Sequence, residues 1–422
     1  MRYADAMAHP PLVYLGLAST LLLACGGGGA ETADSSDTAG TTMTEGTGET
    51  ASTTAGPGTS AGTDTDASGS DTGGATTTSD TDATTSAPTT SDTEPATDTE
   101  TETDSDATTD TPWEPTPGAL CEPIPTCEAA LPGNPNIPEA LNHRGRDMFY
   151  VEGEDQWVLA KFAEAGILDF DLENEEVAIY LLRDCEGPWE FLGMGATTDD
   201  GDHPTVEGIE DTGGRLYYQI PEDKKLGPGR HRIHMILTSD NSRADQYIDV
   251  VPPGAPLFVT DVDGTLTTSE FIEFVDLLLG TTPMANAFAS QALGILESKG
   301  YHPMYVTARP EFLYKRTREF VEVRGFPNGI IHTSLSKDGA LGSEAEIFKT
   351  DEFSRLADKG LVPTFVIGNS ESDADAYNNA GIMPLDHRIF FQYDDVHGGR
   401  TIDSYQELLA DFEALPDHCE PP

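Results

Sequence analysis

Positive charge is what this chain lacks most. Its 422 residues hold 23 Lys and Arg against 74 Asp and Glu, a formal net charge of −51. No Lys or Arg occurs between Arg2 and Arg144. That balance argues against a nucleic-acid partner, which is gripped through cations on phosphates. It argues equally against electrostatic docking on anionic lipid. Cysteine is scarce too: Cys25, Cys121, Cys127, Cys185 and Cys419 make up the set. No two of them have Cys-x-x-Cys spacing, which argues against a zinc or thioredoxin-like redox site. The apolar stretch Pro11 to Ala24 is too short to span a bilayer.

That stretch ends Leu22-Leu23-Ala24-Cys25 and is followed by four glycines. A short apolar core closed by small residues reads as a secretory signal. The ending resembles a bacterial lipoprotein box, in which the cysteine becomes the lipidated first residue. The resemblance implies that residues 1–25 are a signal peptide and Cys25 the lipidation site. It also implies an exported protein, lipid-anchored to a bacterial membrane on the periplasmic or cell-surface side. From about residue 26 to 117 the chain is mostly Thr, Ser, Asp, Glu, Gly and Ala. Such a segment buries too little apolar surface to offset its ordering entropy, so a disordered tether is expected. Setting Cys25 aside leaves four cysteines, and an exported chain with an even number is expected to form two disulfides. Three pairings are open.

Residues 118–253 read as an all-β, sandwich-like domain. Short alternating or apolar runs recur at 157–163, 176–183, 190–196, 215–220, 230–237 and 246–251, with turn clusters between them. No catalytic constellation stands out. His203, His231 and His234 are expected to be strand or surface residues, and the domain a structural or docking module. The run Val251-Pro252-Pro253-Gly254-Ala255-Pro256 ends pairing and marks a boundary. Beyond it, across 254–416, strands alternate with helices, which predicts an α/β domain on a parallel sheet. The expected strands are 257–260, 301–307, 329–333, 361–367 and 388–392. The expected helices are 269–279, 285–299, 310–324, 344–358, 371–380 and 401–415.

The most informative residues are Leu257-Phe258-Val259-Thr260-Asp261-Val262-Asp263-Gly264-Thr265. An apolar strand runs into two acids spaced by one residue, so both side chains leave on one side. Gly264 permits a sharp turn behind them. Two carboxylates held this close call for a cation. They also offer a nucleophile and a proton carrier in one stretch. A calcium loop would continue with further oxygen ligands and close on a Glu, whereas Leu266 and threonines follow here. Ligands in open parallel sheets bind beyond the carboxyl ends of strands. Three such ends carry polar clusters: Asp261 with Asp263, Thr307 with Arg309, and Asn369 with Asp373. Their convergence at one sheet edge is the central expectation.

These pieces, with Met304-Tyr-Val-Thr-Ala-Arg-Pro310, Ile347-Phe-Lys349 and Ile367-Gly-Asn-Ser-Glu-Ser-Asp373, resemble the haloacid dehalogenase superfamily of phosphotransferases. Within it, the region 256–393 looks like the lipin-type, or LNS2-type, module. The resemblance implies a Rossmann-like parallel sheet without a large cap and a Mg²⁺-dependent phosphatase. Asp261 would be the nucleophile forming an aspartyl-phosphate, and Asp263 the general acid and base. Thr307 and Lys349 would stabilise the phosphoryl group. Gly264, Thr265 and Arg309 would line the substrate pocket. Mg²⁺ would be held by Asp261, the Asp263 carbonyl, Asn369 and Asp373. The physics concurs, since phosphoryl transfer depends mainly on positioning and charge neutralisation. Ser370 departs from the pattern, as lipin-type enzymes often carry Arg there. The related modules of phosphatidylinositol-transfer proteins typically lack the second aspartate and bind phosphatidic acid without cleaving it; this chain keeps Asp263.

An uncapped site admits a bulky, surface-bound substrate, so the expected substrate is phosphatidate or a related membrane lipid phosphate. The alternatives are a non-catalytic phosphatidic-acid-binding module and a phosphatase for small soluble phosphomonoesters. Asp375, His302, His332, His387 and His397 are expected to lie outside the chemistry.

Overall fold

The computed structural model describes residues 121–133, 142–164, 169–268 and 281–419. The expected signal peptide with Cys25, the tether of residues 26–117 and the helix over 269–279 lie outside the described residues. All described residues belong to one compact unit.

The first half forms two sheets. Strands β1 (Arg144–Gly145), β3 (Trp157–Lys161) and β6 (Arg215–Gln219) make a small antiparallel sheet in the order β1-β3-β6. A five-stranded sheet contains β2 (Met148–Val151), β4 (Glu176–Leu182), β5 (Glu190–Ala196), β7 (Gly229–Leu237) and β8 (Arg243–Val251). Its order is β2-β8-β7-β4-β5, with β2 parallel to β8 and the rest antiparallel. Inward residues of both sheets, among them Val158, Ile179, Leu216, Ile233 and Ile248, form one core. The six runs read from the sequence appear as strands within two or three residues. Strands β1 and β2 were not expected.

The second half is a six-stranded, all-parallel sheet with the order β11-β10-β9-β12-β13-β14. Its strands are β9 (Leu257–Thr260), β10 (His302–Thr307), β11 (Ile330–Thr333), β12 (Phe365–Gly368), β13 (Arg388–Phe391) and β14 (Arg400–Ile402). Every residue of β9 is buried, as a central strand covered on both faces requires. The helices are α1 (Ala289–Ser298), α2 (Tyr314–Val323), α3 (Ser343–Asp358), α4 (Glu371–Asn379) and α5 (Gln406–Glu413). Four expectations shift. The strand over 361–367 is confined to Phe365–Gly368, and the helix over 285–299 to Ala289–Ser298. The helix over 310–324 begins as a 3₁₀ turn, Glu311–Leu313. The helix over 401–415 is the short strand β14 followed by α5, because the apolar Ile402 pairs on the sheet edge beside Phe391. Among the described residues, one helix stands between β9 and β10, and one helix, one strand and a loop stand between β10 and α3. Among them, too, no helix is long and apolar enough to cross a membrane.

The two halves share a core. Phe149 and Val151 of β2 and Val251 of β8 pack with Leu257, Met304, Val306 and Ile330 of the parallel sheet. A strap of residues 121–133 runs across both halves. Cys121 is bonded to Cys419 at the end of the α/β domain, and Cys127 to Cys185 in the sandwich, which selects one of the three pairings. Between the bridges, Ile124 N–H donates to Glu297 Oε1 at 3.0 Å and Asn328 Nδ2 to Ile124 O at 2.9 Å.

Candidate active site

Strand β9 sits between β10 and β12, so their three carboxyl ends are neighbours. Asp261 leaves β9 with its N–H still paired to Ile367 O at 2.9 Å. Its side chain is buried at 5% exposure. Lys349 Nζ donates to Oδ1 at 2.8 Å, and the Thr265 hydroxyl lies 3.2 Å from Oδ2. Burial pushes the Asp261 carboxyl up to about 7; Lys349 opposes this, while Asp373 and Asp263 add repulsion.

Lys349 lies on α3, where most lysines face solvent, yet it is 4% exposed. It also donates to Asp373 Oδ1 at 2.5 Å. Burial disfavours its charge, but the two carboxylates outweigh that and hold the ammonium above its ordinary range. Asp373 is fully buried in the first turn of α4. Its Oδ2 accepts the N–H of Asn369 at 3.1 Å and of Ser370 at 3.2 Å, and the Ser370 hydroxyl at 2.7 Å. Ser370 and Asp373 form a reciprocal capping box, which satisfies open helix-end donors. Gly368 makes room for this carboxylate: a Cβ there would lie 2.5 Å from Asp373 Cβ and Cγ.

Thr265 ties the first and last motifs together, its hydroxyl shared between Asp261 Oδ2 and Asn369 Oδ1, the latter at 2.9 Å. The Thr265 carbonyl in turn accepts Asn286 Nδ2 at 2.7 Å and Tyr405 OH at 3.0 Å. Gly264 turns the chain at φ +72°, a conformation that suits a residue without Cβ.

The Asp263 side chain, 29% exposed, turns towards β10 and away from the Asp261–Asp373 pair. The Thr307 hydroxyl donates to its Oδ2 at 3.0 Å, and Arg309 Nη2 to its Oδ1 at 2.6 Å. Arg309 is buried, with Nη1 held to Thr317 Oγ1 at 3.1 Å. Every residue expected in the chemistry, apart from Cys25, therefore falls in this one cluster. Asp375 lies outside it, with His397 Nε2 2.7 Å from its Oδ1. His332 lies apart from it, against Glu352 Oε2 and Asp147 O at 2.6 Å each.

Asp261, Asp373, Asn369 and the Asp263 carbonyl offer oxygen donors alone, the chemistry that Mg²⁺ prefers, with water completing its shell. One buried ammonium against two buried carboxylates leaves surplus negative charge, so the residues fit a divalent cation. Among the described residues, no three His, Cys, Asp or Glu side chains converge as a ready-made metal cluster.

Sequence reading overlooked Gly368, Asn286, Tyr405 and the capping role of Ser370. The Ser370-x-x-Asp373 spacing is itself a helix-start signature. Asn286 and Tyr405 carry no local signal, since they meet Thr265 only through the fold.

Residues 141–250 match the family model described as PITM 1-3, beta-sandwich domain, and residues 258–391 that described as PITM 1-3, LNS2 domain. The chain is 29% identical over 245 residues to Protein retinal degeneration B of Drosophila melanogaster, covering 58% of this chain and 18% of that protein. It is 28% identical over 191 residues to the Homo sapiens Membrane-associated phosphatidylinositol transfer protein 2, covering 45% and 13%. For the human Membrane-associated phosphatidylinositol transfer protein 1 the identity is 26% over 191 residues, covering 45% and 14%. The chain thus spans less than a fifth of the length of these curated relatives. In order and in both parts, its folded region is similar to the β-sandwich and LNS2 domains of the PITM 1-3 family.

Proposed function

We propose that this chain is a Mg²⁺-dependent phosphomonoester hydrolase acting on phosphatidate or a related lipid phosphate. The observation that carries the reading is Asp261, a buried carboxylate with Lys349 on one oxygen and Thr265 beside the other. Its carboxylate attacks phosphorus and takes the phosphoryl group as an aspartyl-phosphate. Asp263 gives a proton to the departing alkoxide and afterwards accepts one from the water that cleaves the aspartyl-phosphate. Lys349 and Thr307 hold phosphoryl oxygens, and Arg309 exchanges its hold on Asp263 for one on the substrate. Mg²⁺, held by Asp261, Asp373, Asn369 and the Asp263 carbonyl, would supply neutralisation of phosphoryl charge. Gly264 leaves space for the phosphate to approach the main chain.

The lipid substrate is supported by the lack of a large cap among the described residues and by the two human relatives, which are named as membrane-associated phosphatidylinositol transfer proteins. The same proposal anchors the chain at a bacterial membrane through lipidated Cys25. Loss of fatty-acid labelling in Cys25→Ser tests that part. The test of activity is phosphate release with and without Mg²⁺, from phosphatidate in mixed micelles and from soluble monoesters. Rapid hydrolysis of soluble monoesters with none of phosphatidate would sink the lipid assignment.

A second reading has its own support. Arg309 and Thr307 already grip the Asp263 carboxylate, so the group needed for proton transfer is engaged by the pair suited to an oxyanion. That arrangement favours a module that binds phosphatidic acid without turnover. Phosphatidate binding with no phosphate release under any divalent ion would select it.

A further inference from the structure

Both cations of the site stand beside an acid that the other domain holds. Two residues after Arg309 comes Glu311, buried at 6% exposure. Arg215 of β6 reaches it with Nη1 at 3.0 Å and Nη2 at 3.1 Å, and Arg144 of β1 with Nη2 at 3.0 Å. One helical turn after Lys349 comes Glu352, 3% exposed. Arg146, in the β1–β2 connection, reaches its Oε1 at 2.7 Å and also donates to the Thr333 carbonyl at the end of β11, at 2.8 Å. All three arginines belong to the sandwich. Burial opposes the charge on Glu352, but His332 and Arg146 outweigh it and hold the carboxyl at about 2.

Buried pairs of this kind add little net stability over apolar packing, but removing one partner strands a charge. After a single loss Glu311 keeps only Arg144, and Glu352 keeps Arg355 of its own helix at 2.9 Å and His332 at 2.6 Å, so each acid loses the tie to the sandwich that fixes its direction, and its element loosens. A bidentate guanidinium–carboxylate pair also fixes direction as well as distance. Resting on the phosphatase reading, we propose that Arg144, Arg146 and Arg215 are positioning residues: through Glu311 and Glu352, the sandwich sets Arg309 and Lys349 in register for phosphate. The β-sandwich is then a working part of the site and more than a docking module.

A control lies on the same interface. Lys359, at the far end of α3, pairs with Glu154 and Glu207 of the sandwich at 3.1 Å each. It joins the domains without touching an element end that carries the site. The experiment compares Arg146→Met, Arg215→Met, Arg215→Lys and Lys359→Met in the full chain. Two readouts are taken: kcat and KM on p-nitrophenyl phosphate with Mg²⁺, and amide hydrogen exchange at residues 307–313 and 345–352. Arg146→Met and Arg215→Met are expected to lower kcat about ten- to a hundredfold with KM little changed, the scale of an ångström-level misplacement. Arg215→Lys should recover much of the loss, and Lys359→Met should match wild type. Exchange should quicken in the segment next to each lost arginine and stay slow in β9 and β12. Equal losses in Lys359→Met, or unchanged exchange in both arginine variants, overturn the inference. An inert wild-type protein defeats the phosphatase reading alone, because the exchange result still decides whether the arginines position these elements.

Discussion

Arg309 holds the carboxylate of Asp263 through Nε, at 3.0 and 2.9 Å from its two oxygens, and through Nη2 at 2.6 Å. The sequence places these residues 46 positions apart, and the β9–β10 pairing makes them neighbours. A guanidinium aimed in this way meets an oxyanion edge-on, so a phosphate can take the place of the carboxylate.

Asp263→Asn separates the two functional readings. It keeps the size of the side chain and removes its proton chemistry. Phosphate release should fall by about 10²–10⁴-fold, the usual contribution of a general acid–base group, while sedimentation with phosphatidate vesicles persists. Arg309→Met should weaken both.

Lys349→Met leaves Asp261 and Asp373 buried without their shared cation. Breaking a buried pair in this way costs about 3–5 kcal/mol, readable as a lower urea midpoint. Turnover should vanish as well. Millimolar Mg²⁺ should raise the midpoint of the variant, and chelation should abolish release by the wild type.

Gly368→Ala tests the fit of the last motif. The added methyl would meet Asp373 Cβ and Cγ at 2.5 Å, and that side chain is fully buried. Overpacking of this sort costs about 1–3 kcal/mol. The larger effect should be on kcat, because Asp373 can escape only by leaving Lys349. Wild-type kcat in the alanine variant would contradict this geometry.

Glu297 supplies a pH-dependent contribution to stability. Burial pushes its carboxyl from 4.5 up to about 7, with the Ile124 N–H and the distant Arg230 opposing. A raised carboxyl favours folding fully below its unfolded value, and that advantage is lost as pH rises through about 7. Wild type should therefore lose stability relative to Glu297→Gln between pH 4.5 and 7.5, by up to about 3 kcal/mol. Parallel unfolding curves for the two proteins across that interval would refute the assignment.

Much of the α/β domain was legible because its signals are local. The alternation of apolar strand and helix placed β9 to β13, and Asp261-x-Asp263-Gly264 lay at a strand end in plain view. Lys349 was legible only through its motif, since nothing in the charge pattern of α3 distinguishes a buried lysine from a solvated one. Strand β1 escaped notice for the same reason. Nothing local marks Arg144, Arg146 and Asp147 as buried, yet each has partners more than a hundred residues away, such as Glu311, Glu352 and Arg318. Strand β14 was missed because three residues running into a helix have no period of their own.

The strap gives the molecule a mechanical property. A pull on the residues that precede Cys121 enters the folded body through sulfur: first into Cys419, then six positions later into Cys185. The load is shared by the end of one domain and the heart of the other, and bypasses the two-residue strand β1, which would otherwise peel first. Arg144 and the neighbouring Arg146 are thereby shielded from tension.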